Sequence, residues 1–432
     1  MDIKIQGGKS IKGEVETHGA KNCVTKELAA SLLTSSECVL ENVPDIIDVS
    51  LTLDMITALG GKVERKDRSC VVRTSNIKLM KRSEIDSFSG KSRVPILLCG
   101  PLLARLGEVF VPSLGGCNIG PRPIDFHINA LKSLGAIVEE NEEGLYLKAD
   151  GLMGAKIALD YPSVGATEQV LLSSVLAKGK TVLSNAAVEP EIIDLVSLLQ
   201  KMGAEISVDT DRQITIVGVE KLHGYRHVAM PDRLEAVSWA CAAIATGGEV
   251  LVKDARQKDM ITFLNKYRQI GGGFEVRDNG IKFWRETDIV KPVFIETDVH
   301  PGFMTDWQQP FVVVLTQADG VSVVHETVYE NRFGFTETLN KMGAKIQLYR
   351  DCLGGMSCRF GQRNYLHSAV IVGRTPLKAG KIVVPDLRAG FSYIIAALIA
   401  KGVSQIQNIN IIERGYEDFV GKLTSLGVDV CS

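Results

Sequence analysis

Cys117 sits in the run Pro112-Ser113-Leu114-Gly115-Gly116-Cys117-Asn118-Ile119-Gly120-Pro121. Three glycines so close together suit a mobile loop that covers a site. Arg122 follows shortly after. A guanidinium near a thiol stabilises the thiolate and lowers its pKa, which a reactive cysteine needs. A cysteine among glycines and polar residues is also a poor core residue. Cys23, Cys38, Cys99 and Cys241 instead read as small buried hydrophobes. The glycine run is not a phosphate-binding P-loop, because no Gly-Lys-Ser or Gly-Lys-Thr follows it. A second chemistry-bearing position is Asp306, at the end of the apolar segment His300-Pro301-Gly302-Phe303-Met304-Thr305-Asp306. That segment would give a general base a dry wall. Asp is also a favoured N-cap, so the same residue reads equally as the cap of a following helix. Cys352, Cys358 and His367 are too few donors for a zinc site, so no metal is expected.

The elements that hold these residues repeat. An apolar residue followed by Gly and a strand-like run occurs six times, at Leu59-Gly60, Leu134-Gly135, Met202-Gly203, Ile270-Gly271, Met342-Gly343 and Leu426-Gly427. The glycines are 75, 68, 68, 72 and 84 residues apart. Each reads as the left-handed residue that ends a helix. The preceding helices carry apolar residues at helical spacing, as in Ile193, Val196, Leu199 and Met202. A second marker keeps the same beat. It is a turn followed by a strand, as at Gly107–Val111, Gly179–Leu183, Gly248–Val252 and Gly320–Val324, with Ser36–Leu40 and Gly402–Ile406 completing six. Units of this length are far longer than solenoid repeats. Six α/β units in 432 residues predict two domains of three units each.

Composition narrows the function. With 49 Lys plus Arg against 51 Asp plus Glu, the net charge is −2. No basic field or basic stripe with interleaved aromatics points to nucleic acid. The longest apolar stretches, Val94–Ala104 and Tyr393–Ala400, are far shorter than a spanning helix. The N-terminal Met1-Asp2-Ile3-Lys4 does not read as a signal peptide. Nine scattered cysteines without a CxxC pair fit reduced thiols and a cytoplasmic location.

Several motifs, in order along nearly the whole chain, resemble the enolpyruvyl transferases. They are Gly19-Ala20-Lys21-Asn22, the glycine run ending in Arg122-Pro123, and Ser163-Val164-Gly165-Ala166-Thr167. Pro231-Asp232-Arg233, Thr305-Asp306, Glu330-Asn331-Arg332-Phe333, Asp386-Leu387-Arg388 and Arg414-Gly415-Tyr416-Glu417 continue the series. The Cys-bearing loop places the chain nearer the branch with a uridine-nucleotide sugar acceptor than the shikimate-pathway branch. The resemblance implies an α/β fold of two inside-out globules, each with three repeated units. One globule would comprise residues 1–20 and 231–432 and carry the base. The inserted one would comprise 21–230 and carry the Cys loop.

The activity implied is transfer of the enolpyruvyl group of phosphoenolpyruvate to the 3-hydroxyl of UDP-N-acetylglucosamine, releasing phosphate, at the first committed step of peptidoglycan synthesis. No cofactor, nucleic acid or membrane is implied as partner. Lys21, Arg122 and Arg414 resemble the cations that hold phosphoenolpyruvate, with Arg93 and Arg388 at matching positions. Arginine's planar fork suits carboxylate and phosphate. Cys117 resembles the proton donor, Asp306 the base, and Asp386 a second carboxylate that shares the proton traffic. Arg122, Pro123, Ile124, Asp125 and Phe126 would surround the uracil, and Ser163, Val164 and Gly165 the diphosphate. Asn22 would hold the sugar and Val328 line its pocket.

The chain departs from the family pattern in three places. Ile47 and Tyr161 stand where the family usually has lysines. Each lost charge-assisted contact is worth about 1.5–3 kcal/mol. A paralogue acting on another nucleotide or nucleotide sugar, such as UMP, is therefore the alternative reading. The segment Leu348–Leu377 is longer than the family pattern, and a flap or an oligomer contact is expected there.

Overall fold

The computed structural model describes residues 2–115, 124–141, 144–356, 358, 360 and 363–431. Cys117, Arg122 and Pro123 lie outside them. By its internal contacts the chain divides into two units. One is discontinuous, joining the N-terminal 18 residues to 231–432. The other is inserted between them, from residue 19 to 230.

The discontinuous unit has three four-stranded sheets among the described residues. The first has the strand order Lys381–Val383, Val403–Gln407, Asp2–Gln6, Val430–Cys431. The second runs Gly272–Arg277, Gly280–Arg285, Glu249–Lys253, Lys12–Glu16. The third runs Phe294–Glu296, Val321–His325, Ser368–Val372, Ile346–Tyr349. The short N-terminal segment thus gives a strand to each of two sheets, which ties it to residues more than 200 positions away. Each sheet has one parallel pair, and its other pairs are antiparallel.

Beneath the sheets lie three helices that are buried almost throughout, Arg233–Thr246, Thr305–Leu315 and Leu387–Ile399. In the first, 13 of the 14 residues are buried, Arg233 and Glu235 among them. The Asp232 carboxylate caps it, accepting from the Leu234 and Glu235 amides, and Gly247 in the left-handed region ends it. Aromatic contacts lock the layer, with Trp239 edge-on to Phe391 at 4.8 Å between ring centroids.

The inserted unit has two four-stranded sheets and one three-stranded sheet among the described residues. Its buried helices include Lys21–Ala30, Cys99–Leu106 and Val164–Ser174. Each unit has its own hydrophobic core.

The six repeat glycines all adopt positive φ, from 80° to 107°. The same backbone geometry therefore ends a helix once in every unit of the sequence repeat, and three units fall in each part of the chain.

Candidate active site

In the inserted unit, Lys21 and Asn22 open the helix Lys21–Ala30. Lys21 Nζ is 2.6 Å from Asp48 Oδ2, with both side chains largely buried. Asp48 stands in the first turn of the helix Ile47–Ala58, where a carboxylate also meets the positive end of the helix dipole. Ile47, the first residue of that helix, is exposed.

Ser163 caps the helix Val164–Ser174, its hydroxyl accepting from the Ala166 amide at 3.3 Å. The amides of Val164 and Gly165 precede any carbonyl that could take them within the helix. They form a ready anion contact at the positive end of a helix. A side chain at Gly165 would collide with the His127 imidazole, 2.9 Å from where its Cβ would stand. Gly165 therefore also permits the approach of the helix Asp125–Ser133. Burial, with Arg93 adding to it, pushes His127 down to about 4, so its ring is neutral at pH 7. Ile124 is the N-cap of that helix, and Asp125 and Phe126 lie in its first turn.

The chain leading to Cys117 is anchored. The Gly90 amide donates to Ser113 at 2.8 Å, and the Gly115 amide donates to Ser92 at 3.1 Å. Gly115 packs against the Gly90 carbonyl so closely that any Cβ would overlap it. Arg93 follows Ser92 directly, at the start of the 3₁₀ turn Val94–Leu98.

In the discontinuous unit, Asp306 is the second residue of the helix Thr305–Leu315, whose N-cap is Met304. The capping reading of Asp306 is thereby corrected, because the residue lies inside the first turn and faces side chains. One of its oxygens takes a hydrogen bond from Arg332, and the other lies 3.4 Å from Nε of Arg388. Burial works against the charge on both guanidiniums. For Arg332 the carboxylates of Asp306, Asp386 and Glu326 offset it, so its pKa is raised. Arg388 is raised as well, through the Tyr416 hydroxyl and Asp306. Arg388 donates to that hydroxyl at 3.3 Å, and Tyr416 stacks on Phe391.

Asp386 does have a capping role. Its Oδ1 accepts from the amides of Arg388 and Ala389 at 2.9 and 3.0 Å. Arg414 ends the 3₁₀ helix Ile409–Arg414 and is partly exposed. Val328 lies in a loop whose shape is set by Glu326. The fully buried Glu326 carboxylate accepts from the amides of Val328 and Tyr329, from the Thr305 hydroxyl at 2.9 Å and from Gln308 at 3.2 Å. Burial raises its pKa.

Asp306, Asp386, Arg388 and Val328 thus share one neighbourhood, to which the sequence assigned no role for Arg332 or Glu326. Arg332 was visible only as part of a motif. In the inserted unit Asp48 was likewise without a role. An oriented carboxylate held between two guanidiniums can accept a proton and pass it on. In the inserted unit, the Val164 and Gly165 amides can hold an anion.

The profile of the family described as EPSP synthase (3-phosphoshikimate 1-carboxyvinyltransferase) matches residues 5–423. The chain is 52% identical to the UDP-N-acetylglucosamine 1-carboxyvinyltransferase of Protochlamydia amoebophila, over 100% of this chain and 94% of that protein. It is 49% identical to the enzyme of the same name from Chlamydia muridarum, over 99% of this chain and 98% of the other. Among solved structures, the enolpyruvyl transferase NikO from Streptomyces tendae superposes with a TM-score of 0.88 at 22% identity. That match covers 100% of this chain and 98% of the other.

Proposed function

Since the chain belongs to the EPSP synthase family of enolpyruvyl transferases, we propose that it transfers the enolpyruvyl group of phosphoenolpyruvate to the 3-hydroxyl of UDP-N-acetylglucosamine and releases phosphate. The observation that carries this reading is the full-length identity of about half to relatives that bear that activity in their names. The setting is bacterial peptidoglycan synthesis in the cytoplasm. Among the described residues no helix is long and apolar enough to cross a membrane.

The chemistry assigns the residues as follows. Lys21, Arg122 and Arg414 hold the carboxylate and phosphate of phosphoenolpyruvate, with Arg93 and Arg388 supporting. Cys117 gives its proton to the methylene carbon. The acceptor oxygen bonds to the adjacent carbon as its own proton passes to Asp306. The carbon–phosphate oxygen bond then breaks, and the Cys117 thiolate removes a methyl proton to restore the double bond. The proton on Asp306 leaves to solvent. The products are one enolpyruvyl ether and one phosphate. Arg332 and Arg388 keep the Asp306 carboxylate oriented throughout. The amides of Val164 and Gly165 suit the acceptor diphosphate, and Ile124, Asp125 and Phe126 suit its base. Asp386, occupied as a helix cap, serves mainly to position Arg388.

One observation favours a second reading. Ile47 presents an exposed apolar side chain beside Asp48, where the family pattern has a cation. An acceptor with fewer phosphate charges, such as UMP, would tolerate that change. Calorimetric titration with UDP-N-acetylglucosamine and with UMP separates the two. Tighter binding of the UDP-sugar supports the main reading, and preference for UMP supports the second.

A further inference from the structure

We propose that the long segment after residue 348 carries a structural zinc site, with Cys352, Cys358, His367 and His325 as ligands. Cys352, Cys358 and His367 come from the segment itself. The fold brings the fourth donor from the strand Val321–His325. One donor atom from each of the four lies within 4.8 Å of the other three. A tetrahedral zinc with bonds of about 2.0–2.3 Å sets its ligand atoms roughly 3.3–3.8 Å apart. Cys352 Sγ and His367 Nε2 are already 3.4 Å apart. Rotation of the exposed Cys352 and the partly exposed Cys358 closes the remaining distance.

The two histidines are prepared for this in a specific way. His325 is fully buried and directs Nδ1 at the Glu296 carboxylate, 3.2 Å away. Its Nε2 is buried and has no hydrogen-bond partner. A buried polar atom left so is costly unless a ligand takes it. His367 is fully buried as well, and its Nδ1 stands 2.9 Å from the Tyr365 carbonyl. In each ring one nitrogen is engaged by an acceptor, which fixes the tautomer and leaves the other as a lone-pair donor. Zinc-bound histidines are oriented in this manner by a carboxylate or carbonyl behind them.

The loop is fitted to the same centre. Glu296 also accepts from the Met356 amide at 3.0 Å. A Cβ at Gly354 would overlap both Glu296 and His325, so glycine lets the segment pass over that pair. The Phe360 amide donates to Cys358 Sγ at 3.3 Å, a bond that stabilises a thiolate. Ser368, paired with His325 across the strands, accepts from the Leu353 amide and donates to the Asp351 carbonyl. Two sulfurs and two imidazoles in a closed set of four are the donor chemistry of structural zinc, with no open position for substrate. The site would pin the segment to the strand end that leads into Glu326, and through Glu326 to the first turn of the Asp306 helix.

The test uses the full chain, purified and kept in reducing buffer, reconstituted with zinc sulfate and desalted. Metal analysis should return one zinc per chain in the wild type. It should return none in the Cys352→Ser, Cys358→Ser double variant, with an unchanged far-ultraviolet circular dichroism spectrum. Should the double variant fail to fold, cobalt replaces zinc in the wild type. The expected result is then a tetrahedral cobalt spectrum with thiolate-to-cobalt charge transfer. A wild-type chain that takes up no zinc overturns the proposal. So does zinc retained by the folded double variant, or a cobalt adduct without the thiolate band.

Discussion

Arg332 holds the Asp306 carboxylate from a position nearly sealed from water. This pairing makes a separable prediction for each partner. Asp306→Asn keeps the shape but cannot take a proton. General-base groups contribute about 10²–10⁴-fold, so turnover should fall by that order while acceptor affinity, read by calorimetry, stays near normal. Wild-type turnover in this variant would remove Asp306 from the chemistry.

Arg332→Met should act on the fold first. It leaves the buried Glu326 without its counter-charge and Asp306 with Arg388, and breaking a buried pair costs roughly 3–5 kcal/mol. A large drop in melting temperature is expected. An unchanged Tm would show that the pair is dispensable for folding.

Much of this architecture was legible in the chain, and the reason is periodic. Each left-handed glycine after a helix is a local requirement of the backbone, so it recurs wherever the unit recurs. The three buried helices are less legible, because each carries polar residues such as Glu235, Asp306 and Arg388. Asp306 was ambiguous because an Asp before an apolar run fits a cap as well as a base. The position of Met304 as the N-cap removes the capping reading. Glu326, Arg332 and Asp48 were missed as working residues because their partners lie 18 to 27 positions away, as with Gln308, Asp306 and Lys21. No sequence period brings such pairs together. His325 was missed similarly, since it joins Cys352 only across the sheet.

Stability should fall as pH rises through the range set by Glu168. Burial pushes this carboxyl up from 4.5 to about 7, with Lys26 at 3.5 Å partly opposing it. Between those values the folded chain binds the proton and the unfolded chain does not. The slope of unfolding free energy with pH is therefore negative there. The contribution is complete below pH 4.5 and gone above about 7, and is on the order of 3 kcal/mol. Glu168→Gln should flatten the Tm-versus-pH curve in that window. A curve of unchanged slope would contradict the assignment.

Arg414→Ala should reduce turnover strongly, because an anion deprived of one charged partner loses about 1.5–3 kcal/mol of binding for each such contact. Near-normal steady-state kinetics at limiting phosphoenolpyruvate would refute its place in the pocket.

An electrophilic epoxide of the fosfomycin type should label Cys117, and faster when UDP-N-acetylglucosamine is bound. Burial pushes Cys38 and Cys70 up to about 11 and raises Cys23, Cys99 and Cys241 as well. Those thiols should stay unmodified. Peptide mass spectrometry that finds the label mainly on Cys352 or Cys358 would contradict the role given to Cys117.

The most direct test of the central claim is a phosphate-release assay with phosphoenolpyruvate and purified full-length protein, run with UDP-N-acetylglucosamine, with UMP and with no acceptor. The account predicts release that depends on the UDP-sugar, one phosphate for each acceptor consumed, and a product heavier by one enolpyruvyl group. Release that is independent of the UDP-sugar, or that occurs only with UMP, would contradict it.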